Sequence, residues 1–192
     1  MNCVNLISKN IGDACAPVVK GYKPNAVIIN YDDIDFDAIE YDDANPHIVT
    51  SLALVTGKSG YKVTQRGATP FSGTNASMAQ ATYQNEVTHT VSVVIPKDAA
   101  STNEIAQPLA NGAVVVMILE TKSKGADGES AYEIIGLDGG LVATASTDDV
   151  NGDSGKNYIF TLTEVSTTLA TFLSAGTYAA TKTMVDGLVK KS

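Results

Sequence analysis

Apolar and polar residues alternate from Glu86 through Ile95, with Val87, Val91 and Val93 on one side and Thr88, Thr90 and Ser92 on the other. That is the period of a strand with one buried face. Pro96 closes it, because proline has no amide proton for a ladder bond. Ser101-Thr102-Asn103-Glu104 reads as a capping box, so a short helix is predicted over 100–110, ending at Asn111-Gly112. Ala113 to Leu119 is a continuous apolar run rich in valine, too short to span a membrane, and predicts a fully buried strand. Further strands are predicted at Ala26–Asn30, Ile48–Val55, Tyr61–Gln65, Tyr132–Gly136, Leu141–Ser146 and Asn157–Val165. In the tail, Leu169, Phe172 and Leu173 fall at helical spacing, and Thr181–Lys190 fits helix or strand equally.

These elements predict a mainly β (α+β) fold, a β-sandwich or partly closed barrel with one flanking short helix and a long assembly loop. The division is an N-terminal arm over 1–25, the sandwich over 26–166, and a C-terminal segment over 167–192. Within the sandwich, residues 58–85 carry Gly60, Gly67, Pro70 and Gly73 and have no sustained period. A connection this long inside one domain is expected to order on a partner. Tyr61, Arg66, Pro70, Phe71 and Tyr83 are the expected assembly residues, with Pro70-Phe71 an aromatic anchor into a neighbouring subunit.

Composition narrows the function classes. The chain has 192 residues, 44% hydrophobic and only 18% charged, with a formal net charge of −8. An acidic balance disfavours binding to a phosphate backbone. Much of it lies in one block, Asp32, Asp33, Asp35, Asp37, Asp42 and Asp43 with Glu40, expected to be a solvated acidic surface rather than a cation site. The alternation Ile34-Asp35-Phe36-Asp37 predicts a strand with one acidic face. Cys3 and Cys15 are not a CxxC pair and read as reduced, buried thiols, with a disulfide as the other possibility. Neither a signal peptide nor a membrane-spanning run is seen, so a soluble protein made in the cytoplasm is expected. No cofactor is expected.

Candidate chemistry is sparse. Asp149-Val150-Asn151-Gly152-Asp153-Ser154-Gly155 spaces oxygen ligands as calcium loops do, but lacks the glycine and glutamate at the required positions and reads as a turn. His47 and His89 stand near no nucleophile motif, and Gly57-Lys58-Ser59 lacks the glycine run of a phosphate loop. Catalysis is not expected.

The order strand, long loop, strand, capped helix and strand resembles the tail-tube proteins of long-tailed bacteriophages and contractile injection machines. Tyr61-Lys62-Val63, Thr69-Pro70-Phe71-Ser72-Gly73-Thr74, Thr82-Tyr83-Gln84-Asn85 and Pro108-Leu109-Ala110-Asn111-Gly112 also look like virion proteins of phages infecting Bacteroidetes-type hosts, including crAss-like phages. The resemblance covers Ala26 to Val165. It implies a virion structural subunit that packs with copies of itself in stacked rings, contacts other virion proteins, and lets phage DNA pass without specific binding. It implies a location in the virion tail, with no membrane partner. Alternatives are a head-decoration or connector-ring protein or, in a different class, a calcium- or glycan-binding adhesion module. The absence of tryptophan and an aromatic content of 6% count against a sugar platform.

Overall fold

The structure is a computed structural model and describes residues 19–97, 100–125, 128–148 and 155–190. Cys3, Cys15, the calcium-like stretch 149–154 and most of the N-terminal arm lie outside the described residues. In chain order the strands are β1 (Tyr22–Asn30), β2 (Glu40–Tyr41), β3 (Ile48–Ser51), β4 (Tyr61–Thr64), β5 (Asn75–Gln80), β6 (Asn85–Pro96) and β7 (Val115–Thr121). They continue with β8 (Tyr132–Ile135), β9 (Val142–Asp148), β10 (Asn157–Ser166) and β11 (Thr171–Leu173). Helix α1 (Thr102–Ala110) lies between β6 and β7, and α2 (Tyr178–Leu188) follows β11.

Two open sheets face each other. The larger has seven strands in the order β2-β3-β11-β8-β7-β1-β4, and the smaller has four in the order β5-β6-β10-β9. The protein is therefore a mainly β sandwich with a short flanking helix, and not a closed barrel.

Strand β7 explains the layering. Its residues Val115 to Glu120 are all buried. Successive side chains of a strand point to opposite faces, so both faces of this strand must be covered. Val115, Met117 and Leu119 face the small sheet, packing with Val91 and Val93 of β6, Phe160 and Leu162 of β10, and Ala106 and Leu109 of α1. Val116 and Ile118 face the other way, with Val27 and Ile29 of β1, Val49, Leu173, and Val185 and Leu188 of α2. The apolar run has no alternation because the strand has no solvent face.

Four expectations change. Ser101 has helical dihedrals and its side chain makes no cap bond, so no capping box forms. The Thr102 hydroxyl instead donates to the Pro96 carbonyl at 3.0 Å, and Gly112, at φ 87°, turns the chain into β7. The first part of the acidic block, with Ile34-Asp35-Phe36-Asp37, is not a strand. It is two single 3-10 turns, Tyr31–Asp33 and Phe36–Ala38, with Ile34 buried and Phe36 exposed. The tail residues Leu169 to Leu173 are not helical: Phe172 pairs with Ile48 and Glu133, which inserts β11 between β3 and β8. The fourth concerns the stretch 58–85, which carries β4 and β5 and is only partly loop. The undecided segment Thr181–Lys190 is mostly α2, capped by the Thr177 hydroxyl accepting from the Ala180 amide at 3.2 Å.

Candidate assembly surface

Phe71 does not reach a neighbour. It is 2% exposed and belongs to the core between the sheets. Its backbone is left-handed, φ 55°, a conformation that costs energy for a bulky residue. Buried Gln65 holds it there: its Oε1 accepts from the Phe71 amide at 2.8 Å, and its Nε2 donates to the Ser92 carbonyl at 3.2 Å. Pro70 is buried beside it. The expected pair of assembly residues is thus a staple that fastens the stretch to its own sandwich. Burying a phenyl ring in the chain's own core gains more than presenting it to water before a partner arrives.

Arg66 is exposed, Tyr61 is 50% exposed on the edge strand β4, and Tyr83 is 98% exposed. Tyr83 stands in the turn of a hairpin. β5 pairs with β6 from Asn75 opposite Thr90 to Gln80 opposite Asn85, and the Ala81 amide closes the turn on the Gln84 carbonyl at 3.0 Å. Every residue of β5 is exposed, and Met78 reaches 71% although it lies opposite buried Val87 on the core-side face. The hairpin therefore overhangs the large sheet. Its outer edge is unpaired among the described residues, as is that of β9 at the far side of the same sheet.

The outward face of the small sheet has its own character. Its register places Thr88, Thr90, Ser92 and Val94 of β6 beside Val165, Thr163, Thr161 and Ile159 of β10. Asn75, Ser77 and Ala79 extend the face on β5, and Val142, Ala145 and Thr147 on β9. Its strand positions include Glu86 but neither lysine nor arginine. It is a hydroxyl-rich, nearly uncharged plane.

The acidic residues divide. Asp32, Asp37 and Asp43 are exposed, and Asp35 and Asp42 are half-buried. Asp42 closes a turn, its carboxylate accepting from the Ala44 and Asn45 amides at 2.9 and 2.8 Å. Asp33 is a correction to the expected acidic surface. It is 7% exposed and lies 2.8 Å from the Lys58 ammonium, and it accepts from Asn30 Nδ2 at 2.8 Å. The hydrogen bond from Lys58, and then that from Asn30, hold its carboxyl below the usual range.

Other polar groups fasten elements together. Glu120 accepts from Lys23 Nζ at 2.5 Å and from the Tyr178 hydroxyl at 2.6 Å, tying the start of α2 to β7. Burial, then the charge of Glu133, pushes the Tyr22 hydroxyl far up, and it donates to that carboxylate at 2.5 Å. His89 is 3% exposed with Nε2 2.9 Å from the Thr168 carbonyl, and Glu164 Oε1 accepts from the Gly139 amide at 2.6 Å. Ser166 and Thr168 both donate to Asp138. These contacts lock the corner after β10. Among the described residues no three metal-binding side chains converge, and no helix is long and apolar enough to cross a membrane.

Missed by the sequence reading were Met78 and the whole of β5. Asn-Ala-Ser-Met-Ala-Gln has no β-branched residue to announce a strand. The chain matches no family model, no curated protein and no solved structure.

Proposed function

We propose that the chain is a structural subunit of a phage virion, forming rings of a tail tube or tail ring through which DNA passes, and that it works by assembly rather than catalysis. The observation that carries this is the small sheet. Among the described residues both of its edges, β5 and β9, are open, and the strand positions of its outward face carry no basic residue. Strands β5 and β9 have 6 and 7 residues. Since neighbouring strands in this sheet are antiparallel, β5 of one copy beside β9 of the next would continue the alternation. Such pairing is heterologous, and it closes into a ring when the rotation per subunit allows. A ring built so presents a hydroxyl-rich plane with no ammonium or guanidinium groups to hold phosphates, which suits a passage for DNA.

The test is electron microscopy of the purified protein, with its mass in solution measured by light scattering. Rings or tubes are expected, with no retention of duplex DNA at physiological salt. A species that stays monomeric at high concentration would overturn the reading.

A further inference from the structure

A groove of about 340 Å³ opens between α2 and strands β1 and β4. Its floor combines apolar Val27, Ile118 and Val185 with Glu120 and Tyr132, and Lys62, Lys182 and Lys190 stand around it. Lys182 is held by Asp186 at 2.6 Å, and Glu120 on the floor is taken by Lys23. Lys62 and Lys190 are exposed and have no carboxylate partner among the described residues.

The opposite edge of the same sheet has the complementary character. Tyr41 of β2 is 48% exposed, between exposed Glu40 and, two residues on, exposed Asp43. Neither carboxylate has an ion-pair partner among the described residues. β2 and β4 are the two outermost strands of seven, so at roughly 4.8 Å per strand the two features lie about 30 Å apart. No chain can join its own knob to its own groove. At a net charge of −8, two copies repel at long range, so a contact between them needs a local positive surface.

We infer that the lysine-rimmed groove beside α2 receives the Glu40-Tyr41-Asp42-Asp43 edge of a second copy, with the Tyr41 ring against Val27, Ile118 and Val185 and Glu40 and Asp43 against Lys62 and Lys190. The inference rests on the assembly reading above and adds to it a second, polar contact, on the large sheet rather than the small one. The contact is head to tail, so it gives the assembly a direction.

The test is a charge exchange followed by sedimentation velocity. Lys62→Glu with Lys190→Glu, and separately Glu40→Lys with Asp43→Lys, should each weaken self-association about tenfold. All four substitutions in one chain should recover most of it, which also guards against a variant that merely folds badly. Tyr41→Ser should weaken association in the same sense. Assembly of the native protein that ignores both reversals, or a four-fold variant no better than either, would overturn the groove contact while leaving the assembly reading intact. A native protein that never associates would overturn both.

Discussion

The seven-stranded sheet is covered on both faces in its middle strands, by the small sheet on one side and by α2 with Ile34 and Leu52 on the other, while its edge strands β2 and β4 are largely exposed. The four-stranded sheet is covered on one face in its middle strands and, at β5, on neither. Alternation alone does not reveal this difference. β6 and β10 alternate and lie in the small sheet, whereas β7, the most buried strand, does not alternate at all. Each fully buried valine, leucine or methionine contributes on the order of 1.5–3 kcal/mol, so stability is concentrated around β7. Strand β5, exposed throughout, contributes little buried surface to the fold, and its outer edge is unpaired among the described residues. A division of labour follows, with the buried centre of the two sheets as scaffold and, on the proposed reading, the sheet margins as contact surfaces.

The sharpest way to break that division is at Phe71, which lies in the irregular stretch by sequence but in the scaffold by packing. Phe71→Ala should lower the unfolding free energy of the dilute monomer by roughly 3–5 kcal/mol, read from urea denaturation followed by circular dichroism. If the ring anchored a neighbouring subunit instead, the monomer would lose almost nothing and only assembly would suffer. For the same reason, a deletion of Gly67 to Ala79 removes core and most of β5 together. It should abolish folding rather than isolate an assembly loop.

How much of this was legible depends on how local the cause is. β6 and β10 could be read because one face of each is less buried than the other over most of its length, and β7 because valine, methionine, isoleucine and leucine fill five consecutive positions, Val115 to Leu119. Helix α1 was legible as a helix, but its cap was not, because the Thr102 hydroxyl serves Pro96 from six residues away. The run Ile34-Asp35-Phe36-Asp37 imitates a strand since 3-10 turns also send neighbouring side chains in different directions. Phe71 turns inward because Gln65 supplies its amide with an acceptor, a tertiary fact that no period announces. At the proposed surface, the turn around Tyr83 was legible as an irregular stretch, but the strand beside it was not. The open edge of β5 is made of residues with weak strand preference, and strands of that kind are defined by the partner they pair with.

A smaller effect separates the exposed acidic residues from Asp33, whose carboxylate is tied into the fold. Because Lys58 and Asn30 hold the folded Asp33 carboxyl below its unfolded value, it contributes stability that is present above the ordinary carboxylate pKa of about 3.9 and lost as pH falls through the folded pKa. Asp33→Asn should lower the melting temperature slightly at neutral pH and flatten its fall between pH 5 and pH 3. The change should be several times smaller than that from Phe71→Ala, since Lys58 is itself exposed. Equal slopes for the native protein and Asp33→Asn would mean that Asp33 belongs with its exposed neighbours.

The smallest effect on the fold should come with a large effect on assembly, at Met78. Its side chain lies on the core-side face of β5, yet it is 71% exposed because the large sheet does not reach beneath the hairpin. A lysine there leaves no cavity and buries no charge, so Met78→Lys should change the unfolding free energy of the monomer by less than about 0.5 kcal/mol. On an edge strand, however, an added charge facing the inner side opposes continuation of the sheet by a second chain and its burial there. Rings or tubes should therefore be lost while the melting curve at low concentration stays where it was. If Met78→Lys instead destabilised the monomer as Phe71→Ala does, the hairpin would belong to the scaffold. If it left assembly untouched, the contact between copies would have to run through the large sheet alone, along the edge that carries Tyr41.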